Sequence, residues 1–470
     1  MDRLFGTDGI RGIPGEYPLT DGMVFKIGKA VAHFLLCQRC PERVNDGYPK
    51  VIVGKDTRLS GQRIEVVLNS AVTSYGIDVL LAGIIPTPGL AFLTKELKAD
   101  IGVMISASHN RAEENGIKFF SNSGYKLSQF QEERLEEFMF SYPLDSDLSL
   151  YNSGSVSSIE DGQKRYIDFL KSLIPHLDLN GFKIITDCAY GTVSNIASMV
   201  FKGLGAEVIS INDEPNGVNI NLNCGALHPQ NLVKLVTKYK ADIGFSFDGD
   251  GDRLILADEN GTILDGDYIM AIIGRYLLEK NKLPKRTVVT TVMSNYGLQK
   301  AIEDVGGRLI RTDVGDRYVV EECLKNNLSF GGEQSGHIIF LDHSTTCDAL
   351  LTSLQLLKVM EETGKQLSEL ALCMRKSPQV LINVKVKKKK PFESLPRVSE
   401  VISHSKSRLN EKGRLLVRYS GTELVARIMV EGENQDFIQE IGSSIAGVIE
   451  EEIGYESKDK FNYAVRGSKV

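Results

Sequence analysis

The chain has 470 residues, 42% of them hydrophobic, with seven cysteines and a formal net charge of −6. That length exceeds what one core sustains and predicts three or four domains, while the acidic balance argues against nucleic-acid binding, which needs a basic face. The scattered cysteines fit no secreted disulfide framework, and no apolar run has signal-peptide or membrane-spanning length, so a soluble, cytoplasmic protein with no membrane partner is expected.

From the N-terminus, the segment GTDGIRG (residues 6–12) carries Arg11. Cys37 and Cys40 form one CxxC, but no second pair stands at zinc spacing and the flanks read as a helix end. An apolar β-type run, a helical stretch and a glycine before a second β-type run then recur three times, as parallel βαβ units are written. The copies begin at KVIVGKDTR (50–58), FKIITDCAYGT (182–192) and TVVTTVMSN (287–295), and their helices are closed by Gly76, Gly205 and the pair Gly306 and Gly307. Each copy continues into a further strand that ends in a polar, Gly-rich loop: SASHN, DGDGDR and GEQSGH. In parallel sheets the carboxyl ends of the strands are the open crevice, so three equivalent loops can meet in one cleft.

The expected fold class is α/β: three topologically similar α/β/α domains plus a smaller C-terminal α+β domain. The expected boundaries are 1–150, 151–255, 256–374 and 375–470. The first is placed in the Ser-rich, linker-like stretch 141–158, and the last where the pattern changes to a strand, a polar helix, a hairpin and a final amphipathic helix near Asp436. The run Lys387 to Lys390 reads as a solvated strand end.

The loops carry the chemistry. Asp248, Asp250 and Asp252 alternate directly after a buried strand, and three close carboxylates repel unless a cation lies between them, so a hard divalent metal is implied. A calcium loop starting at Asp248 fails at its sixth position, where Arg253 replaces the required Gly, and Arg253 beside three acids suggests an anionic ligand. Ser108 and His109 stand at the tip of SASHN, where a hydroxyl and an imidazole facing the aspartates suit a phosphoserine; Lys118 can neutralise charge or shuttle a proton. Glu333, Ser335 and His337 suit vicinal sugar hydroxyls, although a plain turn with a capping Glu explains that segment equally. In RYSGTE (418–423), Arg418 with the Ser420 and Thr422 hydroxyls and the Gly421 N–H makes a phosphate cradle, with Arg427 in reach. No P-loop or complete dinucleotide fingerprint occurs.

Together GTDGIRG, SASHN, DGDGDR, GEQSGH and RYSGTE, in this order over nearly the whole chain, resemble the α-D-phosphohexomutases. The wording of ISASHN, GGEQSGHII and VRYSGTE is most similar to the branch acting on glucosamine phosphates, rather than on glucose or mannose phosphates. The resemblance implies four domains around a central cleft, with phosphorylated Ser108 joining Asp248, Asp250 and Asp252 around one magnesium ion. It implies Glu333 and Ser335 on sugar hydroxyls, Arg418, Ser420, Gly421 and Thr422 on the phosphate not being transferred, and Arg11, His109, Lys118 and His337 as charge stabilisers or proton carriers. The reaction implied interconverts glucosamine 6-phosphate and glucosamine 1-phosphate through a bisphosphate, with a hexose 1,6-bisphosphate as activator, in a monomer or homodimer. A catalytically silent sugar-phosphate binder would keep the cradle without needing Ser108. Two departures stand out: Arg111 where the family usually has Pro, and Cys347 where it usually has Gly.

Overall fold

The structure, a computed structural model, describes residues 3–6, 8–37, 49–141, 153–410, 413–420 and 423–455. Cys40, Gly421, Thr422 and most of the Ser-rich stretch 141–158 lie outside the described residues. The chain forms two compact units, Met1–Thr291 with Gly307–Cys373, and Val292–Gly306 with Met374–Val470. No described helix is long and apolar enough to cross a membrane.

The first unit holds three sheets. One contains β1 (Ile10–Gly12), β2 (Lys50–Lys55), β3 (Asp78–Ile84), β4 (Ile101–Ile105), β5 (Asn115–Ser121) and β6 (Val156–Ser158), in the order β1-β5-β4-β2-β3-β6. The next contains β7 (Lys183–Asp187), β8 (Glu207–Ile211), β9 (Ile243–Phe247), β10 (Leu254–Asp258) and β11 (Ile263–Leu264), in the order β11-β10-β9-β7-β8. The third contains β12 (Thr287–Thr291), β13 (Arg308–Thr312), β14 (Phe330–Gly332) and β15 (Ile338–Phe340), in the order β13-β12-β14-β15.

One pattern underlies all three. The first strand of each copy pairs in parallel with the second on one side and the third on the other, and the third pairs antiparallel with the fourth. The threefold repeat of like topology expected from the sequence is therefore present. Its central strands are buried along their full length, as in β4, β9 and β12, because helices cover both faces and leave no polar side to alternate with. Gly76, Gly205 and Gly306 adopt φ of 75°, 101° and 72°, the left-handed conformation that releases each helix into the next strand. The second sheet continues through β10 and β11 to Leu264, past the boundary expected near residue 256, because β10 returns antiparallel along β9 and remains part of its sheet. Likewise β6, at the end of the expected linker and past the boundary expected at residue 150, adds an edge to the first sheet beside β3.

The second unit contains the antiparallel sheet of β16 (Gln379–Lys385), β17 (Gly413–Tyr419) and β18 (Val425–Gly432), in the order β16-β18-β17. Val380, Ile382 and Val384 alternate inward and meet Ile438, Ile441, Ile445 and Ile449 of the helix Gln435–Ile453, the expected amphipathic C-terminal helix. The helix Tyr296–Glu303 also belongs here, although the sequence repeat assigns it to the third α/β copy. Its N-cap Asn295 accepts from Gly297 N at 2.8 Å and Ser377 N at 2.8 Å, and donates to the buried Glu431 carboxylate at 3.2 Å. Arg414 holds the same carboxylate and donates to the carbonyls of Val292 and Ser294.

Within the first unit, Tyr166 donates to the buried Asp348 carboxylate at 2.9 Å, joining the helix Gly162–Ser172 to the N-cap of Ala349–Thr363. Burial pushes the Asp348 carboxyl up to about 6, against the Leu351 N–H and Tyr166 bonds that lower it. A carboxyl raised in the folded state holds its proton there after the unfolded chain has released it, so its contribution to stability is lost as pH climbs from about 4 to about 6. The rise corresponds to at most about 3 kcal/mol. Asp348→Asn, which cannot ionise, should therefore gain stability relative to the wild type between pH 4.5 and 8 in paired thermal melts. A difference independent of pH would contradict this.

Candidate active site

The connection between the third and fourth strands of each copy carries one of the three motifs. SASHN follows β4, DGDGDR follows β9 and GEQSGH follows β14, so common topology delivers three different loops to one place. Ser108, 1% exposed, donates from Oγ to Asp248 Oδ2 at 2.7 Å, and His109 Nδ1 lies 3.4 Å from the same hydroxyl. His337 Nε2 lies 3.0 Å from Asp252 Oδ1, and its Nδ1 lies 2.9 Å from Glu333 Oε2. Glycine is required where the first two loops touch: a Cβ on Gly249 would come 2.7 Å from Ser108 O and 2.8 Å from Asn221 Nδ2.

Asp248, Asp250 and Asp252 are buried, with one ligand atom from each lying within 4.8 Å of the others. The Asp248 oxygens accept Ser108 Oγ and the N–H groups of Asp252 and Arg253. Asp250 Oδ2 accepts Thr87 Oγ1 at 2.5 Å and Lys118 Nζ at 2.8 Å. Asp250 Oδ1 is buried with no hydrogen-bond partner among the described residues, which costs free energy unless a cation takes it. Burial, and then the charges of Asp252 and Asp250, hold Asp248 well above the usual carboxylate range. A divalent metal fits this donor set.

Lys118, on β5, is 2% exposed and lies between Asp250, Asp252 at 3.2 Å and Asp8 at 3.0 Å. Burial disfavours its charge, but the three carboxylates override that and hold it well above the usual lysine value. Asp8 is in turn shared with Arg11 and Lys126, and Lys126 reaches Asp316 at 2.6 Å. Arg11 also lies 3.4 Å from Asn110 Oδ1.

The two histidines diverge. Burial, together with the charges of Arg253 and Arg11, pulls His109 down to about 4 and leaves it a neutral imidazole at neutral pH. Burial also disfavours charge on His337, but Asp252 and the bonds to Asp252 and Glu333 raise it to about 10. Arg253 Nε donates to His337 Nε2 at 3.0 Å, the same ring nitrogen that lies 3.0 Å from Asp252 Oδ1. With Arg253 and Arg11 both close to His109, the pocket is suited to an incoming anion.

Ser108, His109, Lys118, Arg11, Arg253, Glu333, His337 and the three aspartates are thus brought into one connected cluster. Ser335, on the same turn as Glu333, is exposed. In the second unit Arg418 and Arg427 stand directly opposite on β17 and β18, and Arg427 Nη2 donates to Ser420 Oγ at 3.3 Å and Glu423 at 3.1 Å. Like charges in register destabilise a sheet unless an anion joins them. Of the departures, Arg111 is exposed and Cys347 is buried in the core beside Val289 and Val319.

Sequence reasoning missed Asp8, Lys126, Asp316, Thr87, Arg58 and Asn221. Asp8 lay within a quoted motif. Arg58, in the polar end of KVIVGKDTR, occupied the position after a buried strand where ligands gather.

Four family models match in order: phosphoglucomutase/phosphomannomutase alpha/beta/alpha domain I over residues 2–145, domain II over 164–261, domain III over 265–376 and the C-terminal domain over 381–448. The chain therefore belongs to the phosphoglucomutase/phosphomannomutase family, whose members are mutases and hence isomerases. Among its relatives, the phosphoglucosamine mutase of Anaeromyxobacter sp. (strain Fw109-5) is 46% identical, covering 96% of each chain. That of Geotalea daltonii is 48% identical over 97% of this chain and 99% of its own. Among solved structures, a phosphoglucomutase/phosphomannomutase family protein from Burkholderia thailandensis shares the fold with a TM-score of 0.79 at 21% identity, covering 97% of this chain and all of its own. The N-acetylphosphoglucosamine mutase of Aspergillus fumigatus, in complex with GlcNAc-6P and magnesium, aligns with a TM-score of 0.65 at 17% identity over 95% of each chain.

If the orphaned Asp250 oxygen is a cation ligand, Asp250→Asn should weaken magnesium binding about tenfold or more in calorimetric titrations. Unchanged affinity would remove the aspartates as the metal site.

Proposed function

We propose that this chain interconverts glucosamine 6-phosphate and glucosamine 1-phosphate, with Ser108 as the residue that carries and returns the phosphoryl group. The observation that carries the reading is the contact between a buried serine hydroxyl and the aspartate cluster, Ser108 Oγ to Asp248 at 2.7 Å. The choice of sugar rests on the relatives, which are phosphoglucosamine mutases at 45–48% identity over nearly the full chain.

In the forward direction the P–Oγ bond of phosphoserine breaks as a bond forms from phosphorus to O1 of glucosamine 6-phosphate. The O1 proton passes to a nearby base, and the Ser108 oxygen takes up a proton in its place. The 1,6-bisphosphate so formed turns over, and its O6 phosphoryl returns to Ser108. His109 Nδ1, 3.4 Å from Ser108 Oγ, is placed to exchange that proton, and the Lys118 ammonium offsets charge gathered by the aspartates. Magnesium held by Asp248, Asp250 and Asp252 would supply charge neutralisation on the transferring phosphoryl.

Glu333, with Ser335 beside it, takes sugar hydroxyls, and Arg11, Arg253 and His337 face anionic oxygens. In the second unit, Arg418, Ser420, Gly421, Thr422 and Arg427 hold a sugar phosphate, which also answers the repulsion between the opposed arginines. A hexose 1,6-bisphosphate primes the unphosphorylated serine. The domains on this reading divide near the boundaries expected from the sequence, except that the second extends to the end of β11 and Val292–Gly306 goes with the fourth.

The test compares kcat/KM for glucosamine, glucose and mannose 6-phosphates with magnesium and a bisphosphate primer, in wild type and Ser108→Ala. Glucosamine 6-phosphate should be preferred, and Ser108→Ala should lose turnover by at least about 10⁴-fold together with the phosphate adduct seen in intact mass. Preference for another sugar would overturn the substrate, and an active Ser108→Ala would overturn the mechanism.

A further inference from the structure

Ser108 sits in the left-handed region, with φ of 53°, a conformation that a non-glycine residue keeps only where its surroundings impose it. Those surroundings are specific. The carbonyls of Ser108 and Asn110 each accept from the same two side chains, Arg58 Nη2 at 3.2 and 2.9 Å and Asn221 Nδ2 at 2.8 and 2.9 Å. Arg58 is 2% exposed and Asn221 is 9% exposed, so neither is a chance surface contact. Ser106 Oγ takes the Ser108 N–H at 2.9 Å, and Asp56 accepts the Arg58 N–H at 2.9 Å while lying 3.5 Å from its Nε.

The two donors come from different sheets. Arg58 follows β2 in the first, and Asn221 precedes β9 in the second, itself at φ of 58° with its N–H on Ala189 O at 2.9 Å. The Asn221 amide lies where the serine loop and the aspartate loop meet, since the position a Cβ on Gly249 would take is 2.7 Å from Ser108 O and 2.8 Å from Asn221 Nδ2.

We infer that Arg58 and Asn221 are positioning residues that jointly clamp the Ser108 loop against the aspartate loop and so set the line along which the phosphoryl group travels. This rests on Ser108 being the phosphoryl carrier. Neither side chain touches the hydroxyl; both act through the backbone that aims it. A displacement of about 1 Å in a reacting group can cost about a hundredfold in rate, which is the scale expected when the clamp is opened.

Asn221→Asp keeps shape and tolerates the left-handed backbone, but it replaces two N–H donors with lone pairs facing carbonyls. Arg58→Lys keeps the charge but ends in a shorter ammonium that does not reach the place of Nη2, the one atom that donates to both carbonyls. In the full-length protein with magnesium, kcat for glucosamine 6-phosphate should fall about a hundredfold in Asn221→Asp and about tenfold in Arg58→Lys, with KM within about threefold of wild type. The rate at which Ser108 gains phosphate from glucose 1,6-bisphosphate, followed by intact mass, should fall in parallel. A residue serving only stability would lower the melting temperature while leaving kcat per folded molecule and the phosphorylation rate unchanged, and that result overturns the clamp. Should Asn221→Asp fail to fold, Arg58→Lys decides by the same two readouts. A wild type that never gains phosphate at Ser108 would instead sink the carrier reading, so the two failures are separable.

Discussion

The site depends on a single buried ammonium. Lys118 is enclosed by Asp8, Asp250 and Asp252, and without it three carboxylates would share a nearly dry volume at great electrostatic cost. Its position on β5 follows from the antiparallel return of that strand along β4, which sets Lys118 opposite Met104 and points it at the aspartate loop. A lone pair of opposite charges would leave no room for a metal. Lys118 takes Oδ2 of Asp250 and leaves its buried Oδ1 without a hydrogen-bond partner among the described residues, the atom that a metal ion would take.

The three equivalent loops divide the work without dividing the architecture. Each occupies the turn from a buried parallel strand into an antiparallel return, so the backbone route is constant while the side chains differ: hydroxyl and imidazole on one, carboxylates on another, carboxylate and imidazolium on the third. His109 and His337 illustrate how position sets chemistry. The same side chain is held neutral beside two arginines and charged between two carboxylates.

Much of this was legible in the sequence, for identifiable reasons. Alternating aspartates after a buried strand are an electrostatic anomaly that local context cannot absorb, and glycines closing three helices mark a repeat because φ near 75–100° excludes most other residues. The sites of Asn221 and Lys126 were not legible, since a lone polar residue has no spacing to reveal its partner more than a hundred residues away. Nor could periodicity place the end of the second sheet: β10 and β11 belong to it through hydrogen bonds to β9, and a strand reads alike whichever sheet it joins. The helix Tyr296–Glu303 was misplaced for the same reason, because its sequence repeats a pattern whose partners lie elsewhere.

That helix has a further consequence. Because Val292–Gly306 belongs with the C-terminal unit, the chain passes between the two units three times, and no single cut of the polypeptide separates them. A fragment beginning at Met374 would deprive Arg414 of the Val292 and Ser294 carbonyls and Glu431 of the Asn295 amide. A fragment ending at Cys373 would carry a helix stripped of its own neighbours. The C-terminal unit is compact in space yet interleaved in the gene, so it could be exchanged between relatives intact only if fifteen residues from the middle of the chain travelled with it.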